Sequence, residues 1–338
     1  MVDLLETPEQ EQIVGAVGEF LRRKLPLDRL RSNSKRPATG DVAEWAEMAE
    51  LGWFGLGLPE ARGGVGYSIT EEMLVFRQLG RHVATPAVLA GVLGARIAAA
   101  AGKTDLAASI LSGEVRPALA NPIAPGEIGA NVSGQYHLIE DYDAPLLVTW
   151  NEKGAALVER SAITSAKTLP PLDDRITLQV VTLKGAAVAF TTEPVYRQAS
   201  VLIAAMLTGV AEAARDAAVE YAKIREQFGQ KIGAFQAIKH RCSDMAVKAE
   251  ASLSQTVFAA ISEAGDKGDA AFQSAAAKIT ASDAAIFNSV NAIQIHGGIG
   301  FTSDCEAHRF LKRAHVLARL GGTVRQQKAL LLEEPAAA

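Results

Sequence analysis

Apolar residues recur at three- and four-residue steps along most of this chain, and give way to period-two runs only in its middle. Ile13, Val14, Val17, Phe20 and Leu21 share one helix face. Thr7-Pro8-Glu9-Gln10 ahead of them reads as a capping box with proline at the first helical position. A second helix is expected over 41–51, ended by Gly52, and the glycines of 58–66 fix a loop before a helix beginning at Thr70. Helices over 86–101 and 103–111 complete an all-helical part near Gly113. Between Arg116 and Phe190, β-branched runs at 146–150, 155–159 and 176–183, the first two joined by a turn at 151–154, predict antiparallel β structure. Helical periodicity then returns over 198–224, 235–264, 269–296, 304–317 and 322–334, which short connections would fold into an antiparallel bundle. The expected architecture is mainly α with a small antiparallel β domain, divided at 1–115, 116–192 and 193–338.

A chain of 338 residues exceeds the usual size of one core, so more than one compact unit is expected. With 49% hydrophobic and 21% charged residues, disorder is excluded. A formal net charge of -4 without a basic run argues against nucleic-acid binding. Two cysteines, Cys242 and Cys305, cannot build a zinc or disulfide framework, and they fit a reducing cytoplasm. The acidic first residues and the lack of a long apolar run predict a protein neither secreted nor membrane-spanning. His296, His308 and His315 lack partners at metal-ligand spacing and read as structural histidines.

The informative stretch is Tyr221 to His240, which joins two long helical patterns through a turn at Gly229 and Gly233. Arg225, Gln227 and Phe228 fall at a helix end, where a guanidinium can fork onto a phosphate and a ring can cover a flat base. Arg-Glu-Gln-Phe-Gly at 225–229, Ile-Gly-Ala-Phe-Gln-Ala-Ile-Lys-His at 232–240 and Gln-Ile-His-Gly-Gly-Ile-Gly-Phe at 294–301 resemble the flavin-binding signatures of the acyl-CoA dehydrogenase family. The Pro-Glu-x-x-Gly-Gly-x-Gly loop at 59–66 resembles that family's N-terminal helical domain, where loop and following helix line the acyl pocket. The resemblance implies the family fold and FAD as cofactor. It implies that Arg225 and Gln236 contact the pyrophosphate, Gln227 and Phe228 the adenosine region, and Gln294, Ile295, Gly297 and Gly298 the ADP ribose and phosphates. Thr323 stands where the family has a flavin-contacting threonine.

Other parts of the family pattern are missing. The ring-holding Thr-Glu-Pro segment is replaced around Asn121-Pro-Ile-Ala-Pro-Gly126, and the Trp-Ile-Thr strand is absent, since Trp150 is followed by Asn151 and Glu152. Dehydrogenation needs a carboxylate to take the α-proton while hydride leaves the β-carbon. The two positions that carry this glutamate in the family read Gly321 and Ala199 here, so no catalytic residue is assigned. Losses on the ring side beside a retained ADP side resemble the short, base-lacking subunit of α2β2 dehydrogenases acting on steroid side-chain thioesters. That resemblance implies a partner subunit with the glutamate, an acyl-CoA substrate and electron-transfer flavoprotein as electron acceptor. Two other readings stand beside it: a homomeric flavoprotein using Glu193 or Glu212 or oxygenase chemistry, and a non-catalytic structural subunit.

Overall fold

The computed structural model describes residues 4–31 and 44–333. Helix α1 (Pro8–Lys24) starts as its sequence dictates: Thr7 Oγ1 accepts from the Gln10 amide at 3.3 Å, and Gln10 Oε1 accepts from the Thr7 amide at 3.0 Å. The next helix, α2, spans Trp45–Glu50, and residues 41–43 of the expected element lie outside the described residues. Ser68 and Glu71 form a second capping box that starts α3 (Ile69–Arg81). It is followed by α4 (Ala87–Ala100), a helix buried on nearly every face, and α5 (Thr104–Leu111).

The middle of the chain closes into a small barrel. Its strands are β1 (Ala118–Pro122), β2 (Glu127–Ile128), β3 (Asn131–Ile139), β4 (Leu146–Asn151), β5 (Gly154–Glu159), β6 (Ile163–Thr168) and β7 (Leu178–Thr191). Their order is β2-β3-β1-β4-β5-β7-β6, and β3 also pairs with β7, which shuts the ring. Side chains alternate as a pleat requires: Ala118, Ala120, Leu147, Ala156 and Val158 fill the interior, while Leu119, Val148, Ala155 and Leu157 face the helices. The β4–β5 hairpin turns on Asn151, whose Oδ1 accepts from the amides of Lys153 at 2.9 Å and Gly154 at 3.2 Å. One pairing departs from the antiparallel expectation, because β1 and β4 run parallel. The chain leaving β3 swings through Glu140, Tyr142 and Asp143, all with φ between 40 and 56°, and enters on the far side of β1.

The rest is α6 (Val195–Ile224), α7 (Gln236–Ala264), α8 (Ala270–His296), α9 (Ala307–Leu317) and α10 (Val324–Glu333), with Glu334 outside the described residues. Ala277, Ala281, Ala284 and Ala285 are fully buried and let α8 lie close to its neighbours. Asn288 on α8 donates to Ala211 O of α6 and Met245 O of α7 at 2.9 and 3.0 Å, so a buried polar clamp sets the helices' register. The link between β6 and β7 is drawn onto α9 by Asp173, which meets Arg313 at 2.7 Å, and by Asp174, which meets Arg309. Those ion pairs place the sheet opposite one face of α9.

Candidate flavin site

Antiparallel packing brings the end of α6, the start of α7 and the end of α8 to one end of the bundle. There α6 stops at Arg225, whose extended backbone leads into a two-strand ribbon, β8 (Glu226–Gln227) and β9 (Gln230–Lys231). Phe228 and Gly229 at its tip have φ of 52 and 79°, the left-handed pair that a tight hairpin needs. The ribbon is fastened by the Ile232 amide donating to Arg225 O at 2.8 Å. Phe228 is 93% exposed and touches Phe235 edge-on at 6.1 Å between centroids. Tyr221, one turn before Arg225, stacks on His296 at 4.3 Å and thereby joins the ends of α6 and α8.

Arg225, Gln227, Phe228, Gln236, Gln294, Gly297 and Gly298 are all exposed at this end. Gly297 adopts φ 66° and ψ -143°, a conformation only glycine takes comfortably. A Cβ built at Gly297 or Gly298 would meet nothing within 4 Å, so a ligand has room to approach the backbone there, while the Gly297 amide itself caps α8 by donating to Gln294 O and Ile293 O. Ile295 instead buries its side chain in the core. An exposed guanidinium, a helix N-terminus at Gln236, exposed glycines that allow close approach and a bare aromatic ring fit a diphosphate joined to a flat base. These are the parts an ADP moiety of FAD requires.

Thr323 is not among them. Its hydroxyl accepts from the Gln326 amide at 3.3 Å and caps α10. It follows the loop 319–322, which is gripped by Lys278, and Lys278 lies about 24 Å from Gln294 at 1.5 Å per helical residue. Lys278 is fully buried and donates to Leu320 O and, at 2.8 Å, to Gly322 O. Burial without a counter-charge pulls its pKa down to about 7. Asn121, at the end of β1, accepts from the Gly321 amide at 2.8 Å and donates to Arg319 O at 3.4 Å. Gln327 donates to Gly321 O at 3.0 Å and to the Tyr196 hydroxyl at 2.6 Å, and burial raises that phenol to about 12. Trp150 Nε1 points at the same glycine with no hydrogen-bond partner among the described residues.

No carboxylate stands at either family base position. Gly321 is enclosed by the groups just named, and Ala199 is fully buried in α6. Glu193 is held on the surface by both nitrogens of Arg62 at 2.9 Å. Glu212 is buried between Arg77 and Arg81 and ties α6 to α3, about 20 Å along the helix from Ala199. Sequence reasoning overlooked Glu72, which burial pushes above the usual carboxylate range although Arg96 opposes the shift. Its oxygens are taken by the Gly57 amide at 3.3 Å and by Arg96, which also donates to Gln198 at 3.2 Å. It is a structural ion pair.

Between the sheet and α9 lies a cavity of about 650 Å³. Asn121, His137 and Ile139 of the barrel form one side, and His308, His315 and Arg319 are on the other. His308 and His315 are therefore wall residues of a cavity, whereas His296 is the packed, hydrogen-bonded histidine expected, with Nδ1 2.7 Å from Ala292 O. Lys278 and Arg319 had no local signal in the sequence: one lysine on an alanine-rich helix face and one arginine after a helix look like ordinary solvated residues.

The chain matches the acyl-CoA dehydrogenase N-terminal domain over residues 7–114 and the acyl-CoA dehydrogenase C-terminal domain over residues 195–334. It belongs to the acyl-CoA dehydrogenase family, whose members are FAD-dependent oxidoreductases acting on CH–CH bonds. It is 30% identical over 287 residues to acyl-CoA dehydrogenase IpdE2 of Mycobacterium tuberculosis, covering 83% of this chain and 82% of that protein. It is 34% identical over 304 residues to acyl-CoA dehydrogenase FadE34 of the same organism, covering 85% of this chain but only 42% of FadE34. Among solved structures, it superposes on a chain of the ChsE4–ChsE5 complex from M. tuberculosis with a TM-score of 0.84 at 23% identity, covering 99% of this chain and 100% of that one. A variant of the Tcur3481–Tcur3483 steroid ACAD gives 0.82 at 24% identity, covering 96% and 97%. Among the described residues no helix is long and apolar enough to cross a membrane, and no cluster of side chains could hold a metal ion.

Proposed function

We propose that this chain is the base-lacking subunit of a heteromeric acyl-CoA dehydrogenase. In this reading it contributes ADP-half contacts to FAD, and a partner subunit supplies the glutamate and the flavin-ring pocket. The observation that carries the proposal is the contrast between two regions of the chain. At one end, Arg225, Phe228, Gln294, Gly297 and Gly298 are exposed, with room around both glycines for a ligand. At the position of the base, Lys278, Trp150, Asn121 and Gln327 close around Gly321. No carboxylate stands there: Lys278 is turned onto the carbonyls of Leu320 and Gly322, and an indole N–H has no basic lone pair.

Bound FAD supplies hydride acceptance in α,β-desaturation of an acyl-CoA thioester. This chain's residues bind and orient: Arg225 and the start of α7 neutralise the diphosphate, Phe228 covers the base, and Gln294 with Gly297 and Gly298 hold ribose and phosphate. The division of the chain at 115 and 192 separates helical, barrel and bundle domains in the same reading. Likeness to a chain of the two-component ChsE4–ChsE5 complex and to a steroid ACAD supports an α2β2 assembly and a bulky steroid side-chain thioester. Electron-transfer flavoprotein is the proposed electron acceptor.

The test is flavin content and acyl-CoA dehydrogenation of the purified chain, alone and co-expressed with a longer acyl-CoA dehydrogenase that carries the glutamate. Yellow, active protein is expected only from the co-expressed pair. Turnover by this chain alone would reject the division of labour.

A further inference from the structure

The cavity beside α9 is not used by the function proposed above, and none of the residues assigned to the cofactor lines it. Its lining is mostly apolar, Leu311, Val316 and Leu320 on the α9 side included, and its basic groups all come from the α9 side or from His137. Ile139, Ile176 and Leu178 give the barrel side an apolar surface. Opposite them, His308, Lys312, His315 and Arg319 follow one another at steps of four, three and four residues, so they form one stripe along α9 and the turn after it. The stripe runs for about 16 Å. No carboxylate lines the cavity. Asp174 reaches Lys312 from outside at 3.3 Å, while Arg319 has no ion-pair partner among the described residues. His137 faces the stripe from β3, and its pKa is lowered by burial and by the Arg319 charge. A volume of about 650 Å³ falls in the range of small-molecule sites.

We propose that this cavity binds an elongated amphipathic carboxylate, with its apolar body against the barrel wall and its carboxylate on the Arg319 end of the stripe. An apolar wall alone would take any hydrophobe. An unpaired guanidinium at the rim of a low-dielectric space adds charge-assisted hydrogen bonding for an anion and selects it over a neutral molecule of equal size. Asn121 begins the segment that replaces the family's ring-holding stretch, so a flavin ring is the competing occupant, and the two are separable by charge.

The experiment follows 8-anilinonaphthalene-1-sulfonate fluorescence with the full chain, and displaces the probe with dodecanoate, dodecan-1-ol or lumiflavin. Dodecanoate should displace it at about tenfold lower concentration than the alcohol, and lumiflavin should not displace it. The double variant His315→Gln, Arg319→Gln, both at exposed positions, should weaken dodecanoate about tenfold and leave the alcohol unchanged. Equal displacement by acid and alcohol, or an unchanged double variant, would overturn the carboxylate assignment. Displacement by lumiflavin would overturn it in favour of a ring pocket, and would leave the roles of Arg225 and Gln294 untouched.

Discussion

A side chain at position 321 would begin 3.0 Å from Trp150 Nε1 and 3.6 Å from Lys278 Nζ, on a backbone with φ of 61°. Replacing the missing base is therefore more than adding a carboxylate. In Gly321→Glu the new group would strain a left-handed backbone and pull Lys278 from the two carbonyls it now holds. This variant is expected to gain no acyl-CoA dehydrogenase activity and to lose about 1–3 kcal/mol of stability. Turnover by the substituted chain alone would sink that expectation. Lys278 itself predicts a pH effect. Its folded pKa of about 7 lies below the ordinary 10.5, so between those values the unfolded chain binds a proton that the folded chain has released. Stability from this residue therefore rises with pH across that window. Lys278→Met should flatten the rise, read as the difference in melting temperature between variant and parent from pH 6.5 to 9.5.

Helix α6 illustrates what an element's own sequence can and cannot reveal. Gly209 reads as a potential break in the pattern, yet α6 runs through it without interruption. Its purpose is contact: a Cβ there would sit 2.0 Å from Arg77 O, and one at Gly80 would sit 2.0 Å from Met206 O. Backbone meets backbone at the α3–α6 crossing, so neither side can yield. Gly209→Ala is expected to cost about 3 kcal/mol or more, measured as a lowered urea midpoint. Gly229→Ala, at an open hairpin position, would test strain without crowding. What was legible in the sequence was local: the capping box of α1, the Asn151 turn and the end of α6 at Arg225 each depend on neighbours within a few residues. Strand β1 was missed because it is buried on both sides and shows no alternation, and β3 because Gly134 interrupts its pattern. The α9 stripe looks like a solvated basic face. Only the sheet folded opposite makes it a wall.

For the molecule as a whole, the decisive feature is that the ADP-type residues and the loop at 321 lie at different levels of one bundle. Along α8 the two levels are about 24 Å apart, and the family signature is split between them, with Arg225 and Gln294 at one and Thr323 at the other. In the proposed reading the chain contributes to the cofactor through the end it exposes, where Phe228, Ile299 and Phe301 lie on the surface. The Arg225 and Gln294 side chains are exposed and only their backbones take part in the hydrogen-bonded framework, so changing the side chains should leave the fold intact. In the co-expressed complex, Arg225→Ala with Gln294→Ala should weaken FAD binding by at least about tenfold, because charge-assisted contacts to a diphosphate are lost. The readout is the ratio of flavin to protein absorbance after gel filtration, together with elution volume. Flavin should fall while the complex still elutes as one species. Stoichiometric flavin in the variant would refute the assigned roles, and dissociation of the complex with flavin still on the partner would make these residues interface contacts instead.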